Sequence, residues 1–168
     1  MDRLYSPWRA DYVSSLNEKI DGCVFCNIVK NPNKDDELGV IHREKDFFIV
    51  MNKYPYAPAH FMIIPNIHTD KLEDLDPNTW ANMAKFAQKG VALLKDVVNA
   101  QGVNIGMNLG QVGGAGIAEH IHLHLVPRWM GDTNFITTIG ETRIYSTEFD
   151  KLFKRLKEEA PKYFSNIK

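Results

Sequence analysis

The alternation of apolar and polar residues predicts strands along much of the chain. Residues 39–42 and 46–51 are short runs of β-branched and aromatic residues on either side of a polar turn, which is typical of an antiparallel hairpin. Residues 61–65 form a third apolar run that is bounded by Pro65, and residues 103–108 alternate as a fourth strand does. Short consecutive strands joined by turns favour antiparallel pairing.

The most distinctive pattern lies at residues 120–126, where three histidines alternate with large apolar residues. Successive side chains of a strand point to opposite faces, at a rise of ~3.3 Å per residue. The pattern therefore predicts a row of imidazoles on one face and an apolar face in the core. The row consists of His120, His122 and His124, and the apolar face of Ile121, Leu123 and Leu125. Pro127 cannot donate to a sheet and is expected to end the strand.

Two segments have the spacing of apolar residues that a helix requires. Asp76 and Pro77 are typical of an N-cap and first helical residue, and the stripe that follows predicts a helix to about Asn99. The stripe consists of Trp80, Met83, Ala84, Ala87, Val91, Leu94 and Val98. A C-terminal helix is predicted after a cap at Thr147, with a buried face of Phe149, Leu152, Phe153 and Leu156. Together the elements predict an α+β fold with about five antiparallel strands and packed helices.

Composition and charge narrow the classes of function. The 168 residues fit one domain, and a net charge of −1 gives no reason to expect a nucleic acid partner. No apolar run reaches the ~18 residues of a membrane helix, and the N-terminus is too polar for a signal peptide. We therefore expect a cytoplasmic protein without a membrane partner. Residues 1–22 are rich in aromatic residues and are expected to dock onto the domain or onto a partner subunit.

Cys23 and Cys26 lie three positions apart, on a short predicted helix that continues to Lys30. Two thiols at this spacing converge on one side of a turn and can both reach a metal ion. The pair is only half of a zinc site, so the other ligands must come from elsewhere. The alternatives are two buried small apolar residues, or a redox dithiol, although a redox pair would need a thioredoxin-like βαβ context that this sequence lacks.

A glycine-rich segment leads directly to the histidine row. Six of the eleven glycines lie between residues 102 and 116, and residues 109–116 are expected to form a loop. Glycine lets backbone amides approach an anion and adopts positive φ, as a phosphate-binding nest requires. Imidazoles beside such a loop, in a chain without an obvious redox cofactor motif, indicate phosphoryl-type chemistry.

Residues 120–126 resemble the signature of the histidine triad (HIT) family, His-φ-His-φ-His-φ-φ with φ apolar, at every position. The Pro127-Arg128 that follows is similar to the fragile-histidine-triad branch of diadenosine polyphosphate hydrolases and related prokaryotic phosphorylases. Trp8-Arg9 and residues 131–135 are similar to the phosphorylases. The resemblance implies a HIT-like domain over residues 1–168 and a homodimer whose two sheets join into one.

The resemblance also implies the ligands of a structural zinc ion. Zinc-bearing members supply two cysteines, a histidine after the second central strand, and the first triad histidine. The matching positions here are Cys23, Cys26, His68 and His120. With Zn²⁺ bound, His120 is a ligand and not an acid or base; without it, His120 is a polar residue behind the other two histidines.

Further positions match the family's nucleotide-binding residues. Asn52 corresponds to an asparagine that binds ribose, and its amide can both donate and accept hydrogen bonds. His60 corresponds to a histidine near the triad, and Asn108 to an amide side chain that contacts phosphate. Gln111 has no secure counterpart, and we expect His42 to be structural or to face solvent.

These residues suggest a reaction. A neutral imidazole is a nucleophile near pH 7, so we expect His122 to attack the α-phosphorus of a nucleotide or dinucleoside polyphosphate and form a nucleotidyl-histidine. His60 and His124 would orient it or assist proton transfer to the leaving group. The phosphate would be bound by Asn108 and by the amides of Gly113, Gly114, Ala115 and Gly116.

The acceptor decides the class of enzyme. Water would make the chain a dinucleoside polyphosphate hydrolase, which is our main hypothesis, and inorganic phosphate would make it a phosphorylase. A nucleotide-binding or phosphoramidate-hydrolysing module is a third alternative. A galactose-1-phosphate uridylyltransferase is disfavoured, because that branch has glutamine where this chain has His124.

Overall fold

The computed structural model describes residues 22–139, 148–165 and 167. The predicted docking segment lies outside these residues except for Gly22, and the predicted cap Thr147 lies outside them as well. The helix predicted around the two cysteines is α1, Val24–Lys30. A short 3₁₀ turn and the four-residue helix α2, Asp35–Leu38, connect it to the sheet.

The five strands found among the described residues form one antiparallel sheet in the order β1-β2-β3-β5-β4. Their bounds are β1 Val40–Arg43, β2 Phe47–Met51, β3 Phe61–Pro65, β4 Gly102–Gly106 and β5 Leu123–Arg128. This sheet and the helices packed on it confirm the predicted α+β fold class.

The prediction placed the start of the histidine strand too early in the sequence. β5 begins at Leu123, because the amide of Ile121 bonds to the carbonyl of Thr69 in the loop after β3 and not to a neighbouring strand. The strand also continues past the expected stop at Pro127. β3 pairs with β5 only as far as Leu125, so β5 has a single neighbour at Pro127, where a missing amide is tolerated.

The longest helix, α3, covers Pro77–Val98 as predicted. The Asp76 carboxylate accepts hydrogen bonds from the amides of Asn78 and Thr79, and Asn99 ends the helix in the left-handed conformation. The buried face is rotated from the predicted stripe, and Ala84 is exposed. The buried positions are Thr79, Met83, Phe86, Ala87, Gly90, Leu93, Leu94 and Val97.

Gly90 explains this rotation. A Cβ atom at this position would lie 2.9 Å from Leu125 Cδ2 and 2.9 Å from Phe61 Cζ, so the glycine lets α3 approach the centre of the sheet. A four-residue helix, α4 Phe135–Thr138, follows β5, and α5 covers Phe149–Phe164 after Glu148. No described helix is both long and apolar enough to cross a membrane.

The two faces of the sheet carry different cores. One face packs against α3 and α5 and includes Ile121, Leu123 and Leu125, as the alternating pattern predicted. The other face packs against α1, which contributes Phe25 and Ile28. The histidines lie on the α1 side, so the site is built on the face opposite the long helices.

Candidate active site

His122 has one ring nitrogen bonded and one that can act as a nucleophile. Its Nδ1 lies 2.8 Å from the carbonyl oxygen of His120, and a carbonyl can only accept. Nδ1 therefore carries the proton, and Nε2 carries a lone pair. Burial lowers the pKa of His122, which keeps the imidazole neutral near pH 7.

A hydrogen bond between His60 and His124 fixes the tautomers of both rings. The Tyr56 amide donates to His60 Nδ1 at 3.1 Å, so the proton of neutral His60 is on Nε2. That Nε2 lies 2.9 Å from His124 Nδ1, which must accept the bond. The proton of His124 is therefore on Nε2, a buried atom with no hydrogen-bond partner among the described residues.

The ring of His122 lies next to the hydrogen-bonded pair of His60 and His124. The rings of His122 and His124 are 4.7 Å apart at their centroids and inclined by 77°. One of these neighbouring imidazoles therefore has a nitrogen lone pair, and the other has an N–H donor without an acceptor among the described residues. Burial lowers the pKa of His60 to about 3 and that of His124 to about 4, so both rings are neutral under ordinary conditions.

This low pKa predicts a loss of stability in acid. In the unfolded chain His60 takes up a proton as the pH falls through about 6.5, whereas in the fold it stays neutral to about pH 3. The unfolded state binds more protons in this window, so the free energy of unfolding falls with pH there. At pH 5 we expect His60 to lower the free energy of unfolding by about 2 kcal/mol relative to its value at pH 7.5.

Denaturant unfolding of wild type and His60→Gln at both pH values checks this expectation. The difference in the free energy of unfolding between pH 7.5 and pH 5 should be smaller in the variant by about the amount assigned to His60. An equal difference in the two proteins would contradict a buried, neutral His60.

Asn52 and Tyr56 extend the pair toward solvent. Asn52 Nδ2 lies 3.3 Å from His60 Nδ1, and its Oδ1 accepts from the amide of Tyr54 at 2.9 Å. The ring of Tyr56 lies 4.9 Å from that of His60 and 5.6 Å from that of His124. Sequence reasoning missed Tyr56, whose only signal was its place in the proline-rich loop beside Asn52.

The glycine-rich loop turns back on itself. The amide of Gly114 donates to the carbonyl of Gln111 at 3.0 Å, and that of Ala115 to the carbonyl of Gly110 at 3.2 Å. Two of the four amides expected to bind phosphate, those of Gly114 and Ala115, therefore have acceptors within the loop itself. The side chain of Gln111 is exposed and has no hydrogen-bond partner among the residues that the structure describes.

The remaining loop residues are compatible with the expected site. Asn108 Nδ2 donates weakly to the carbonyl of Gly114 at 3.5 Å. A Cβ atom on Gly113 would lie 2.3 Å from the carbonyl oxygen of Leu109, so only glycine allows this turn. Among the described residues, the amides of Gly113 and Gly116 have no acceptor.

Four potential metal ligands come together as the resemblance implied: Cys23, Cys26, His68 and His120. Their ligand atoms all lie within 4.8 Å of one another. Cys23 Sγ is 3.4 Å from His120 Nδ1, and Cys26 Sγ is 3.3 Å from His68 Nδ1. Ligands of one tetrahedral zinc ion are separated by about 3.6 Å for an S–N pair, so the cluster has the right size.

The tautomer of His120 also fits a metal. Its Nε2 lies 2.9 Å from the carbonyl oxygen of Pro65, so Nε2 carries the proton and Nδ1 presents a lone pair to the two thiols. Burial raises the pKa of the Cys23 thiol, an effect that a bound cation would oppose by stabilising the thiolate. The chemistry of the four residues therefore suits Zn²⁺.

His42 lies apart from these groups. Its Nε2 is 2.7 Å from Glu44 Oε1, and its ring packs against those of Phe86 and Phe164. It is half-buried on β1, on the face that packs against α3 and α5. The expectation of a structural histidine is therefore confirmed.

Comparison with known proteins gives consistent matches. The HIT domain family model matches residues 33–130. An AP-4-A phosphorylase of Mycobacterium tuberculosis is 38% identical over 149 residues, covering 86% of this chain and 76% of that protein. An adenosine 5'-monophosphoramidase of Candida albicans is 28% identical over 148 residues, covering 83% and 92%. The crystal structure of a zinc-bound histidine triad family protein from Mycobacterium smegmatis superimposes with a TM-score of 0.70 at 29% identity, covering 86% of this chain and 96% of that one.

Proposed function

The chain belongs to the HIT domain family, and from this we propose that it is an enzyme that cleaves dinucleoside polyphosphates through a covalent nucleotidyl-histidine. One observation carries the proposal: in a buried site, the ring of His122, whose Nε2 carries a lone pair, lies 4.7 Å from the ring of His124, whose Nε2–H has no acceptor among the described residues. This pairing supplies a nucleophile and a hydrogen-bond donor for the two ends of a displacement at phosphorus.

In the proposed reaction, His122 Nε2 forms a bond to the α-phosphorus while the bond from phosphorus to the bridging oxygen breaks. The electron pair of that bond stays on the leaving nucleotide, whose new terminal oxygen accepts a hydrogen bond from His124 Nε2–H. His60 holds His124 in the tautomer that makes this bond possible. The Nδ1–H of His122 remains bonded to the His120 carbonyl, which stabilises the charge on the modified imidazole.

We propose that the phosphate oxygens are bound by the loop before β5. Asn108 and the amides of Gly113 and Gly116 are the donors, and Gly114 and Ala115 shape the turn that aims them. Asn52 is proposed to bind the ribose. Preorganised donors of this kind typically contribute ~10²–10³ in rate each.

We propose Zn²⁺ as the metal held by Cys23, Cys26, His68 and His120. Four protein ligands close the coordination sphere, so the ion would be structural and would supply a cross-link between α1, the loop after β3 and the histidine segment. The zinc-bound relative from M. smegmatis supports this assignment.

The molecule that accepts the nucleotidyl group from His122 distinguishes a hydrolase from a phosphorylase. Hydrolysis needs only water at the adduct, whereas phosphorolysis needs a second anion position; the name of the 38% identical relative, an AP-4-A phosphorylase, favours the second candidate. Diadenosine tetraphosphate is incubated with and without phosphate, and products are separated by chromatography. AMP plus ATP in both reactions is expected from the hydrolase, and ADP plus ATP only with phosphate from the phosphorylase. Absence of turnover in both reactions would contradict the proposed function.

A binding or phosphoramidate-hydrolysing module is supported by the 28% identical relative named a monophosphoramidase. Saturation kinetics separate the alternatives. A binder shows tight nucleotide affinity with negligible turnover on each dinucleotide, and a phosphoramidase releases AMP from an adenosine phosphoramidate faster than from a dinucleotide.

We further propose that the 168 residues act as one domain in a cytoplasmic homodimer. β4 is an edge strand of the sheet, and Ile105 on it is 48% exposed, which supports pairing with a second copy. The proposed nucleotide substrate and the free, metal-binding thiols suit the cytoplasm. Residues 1–22 are proposed to dock onto the domain or its partner.

A further inference from the structure

We propose that Phe25 is a positioning residue for the nucleophile, so that the turn carrying the two cysteines orients His122 as well as a metal. Phe25 lies between Cys23 and Cys26 at the start of α1, and only 4% of it is exposed. Its ring centroid is 5.3 Å from that of His122 and 5.4 Å from that of His120. The proposal concerns the ring of His122, and only its kinetic consequence rests on the proposed function.

His122 can still move in one way. Its ring can turn about the Cβ–Cγ bond, and among the described residues one hydrogen bond, from Nδ1 to the His120 carbonyl, opposes that rotation. The terminal torsion of histidine is soft, so a rotation that breaks this bond also redirects Nε2. Rings on two sides remove this freedom: His124 is inclined by 77° to His122, and Phe25 by 55°.

Phe25 is itself firmly held. Arg43 Nη2 donates to the carbonyl of Ile28 at 2.8 Å, which fixes the last turn of α1, and Asp35 holds the Arg43 guanidinium. At the other end, Cys23 and Cys26 contact His120 and His68. The same short helix and its N-cap therefore carry both the two cysteines of the candidate metal cluster and the ring that packs beside His122.

The alternative is that Phe25 only fills the core on this face of the sheet. Ile28 provides the matched control, because it lies on the same helix and in the same apolar cluster, with 6% exposure. Its side chain carries no ring, so it cannot form a ring–ring contact with His122. A core role predicts that Phe25→Leu and Ile28→Ala act alike once their unfolding midpoints are compared.

The test combines kinetics with a readout that needs no substrate. Phe25→Leu and Ile28→Ala are purified with their metal, and metal content and unfolding midpoint are measured. Steady-state kinetics on diadenosine tetraphosphate give kcat and KM, and ¹⁵N–¹H correlation spectra of labelled imidazoles report the tautomer of His122. Phe25→Met, whose flexible side chain fills the same space, serves if Phe25→Leu does not fold.

We expect Phe25→Leu to lower kcat by about 10- to 100-fold with KM within about threefold, since misplacement by ~1 Å can cost 10²-fold. Its His122 signals should shift toward a mixture of tautomers, whereas Ile28→Ala keeps one Nδ1–H form. Equal kcat losses, unchanged His122 signals in Phe25→Leu, or an effect confined to KM would overturn the proposal. If the wild type turns over no dinucleotide, the proposed function fails, and the spectra still decide the role of Phe25.

Discussion

His122→Ala is expected to abolish turnover of diadenosine tetraphosphate, by roughly 10⁴-fold or more, as in other enzymes that lose their nucleophile. The variant removes the imidazole whose Nε2 lone pair is the proposed nucleophile, next to the ring of His124. Nucleotide affinity should change little, because Asn52 and the loop before β5 remain. Initial rates and equilibrium binding measure the two effects separately.

The covalent adduct provides the sharper measurement. Wild-type enzyme quenched during turnover of radiolabelled substrate should carry label on His122, and a phosphoramidate of this type is labile in acid and stable in base. His42→Gln is the matched control, because this histidine packs on the opposite face and should keep both label and rate. Label on His120 or His124, or His122→Ala activity within tenfold of wild type, would show that the mechanism is wrong.

Loss of the metal is expected to have the largest effect on stability. Chelator-washed protein should retain about one zinc per chain, and Cys23→Ala should lose it. The free energy of unfolding should then fall by about 3–4 kcal/mol at free zinc a few hundred times the dissociation constant. Val24→Ala is the matched control, because Val24 lies in the same turn but is 40% exposed and offers no ligand atom.

Two measurements complete this test. Elemental analysis gives the stoichiometry, and a thiol reagent reports whether Cys23 and Cys26 react in the folded protein. Zinc well below one per chain, fast reaction of both thiols without a denaturant, or equal stability of Cys23→Ala and Val24→Ala would each contradict a structural zinc site.

The elements that sequence predicted well depend on local periodicity. The long helix begins at Pro77 with Asp76 as its cap, and the strand at residues 61–65 is bounded as expected, because capping and alternation are properties of neighbouring residues. The candidate metal cluster could not be identified from spacing alone. Cys23 and Cys26 indicated half of it, and His68 and His120 were identified only through the resemblance to a family.

The parts that sequence reasoning missed depend on contacts between distant residues. β5 begins late because the amide of Ile121 bonds to Thr69, and α3 is rotated because Gly90 lets it approach Phe61. The tautomers of the histidines follow from carbonyl groups and amides that no side-chain pattern reveals. In the same way, the amide of Gly114 bonds within its own loop, which composition alone cannot indicate.

The four residues of the candidate metal cluster are made at different times during synthesis. Cys23 leaves the ribosome 97 residues before His120, which corresponds to roughly 5–20 s at the usual rate of translation. During that interval the two thiols are accompanied by no more than His68 and are open to oxidation. Only a chain translated as far as the histidine segment contains all four residues of the candidate cluster, so with the proposed zinc ion bound we expect a truncated or stalled product to differ from the finished protein in the accessibility of its thiols.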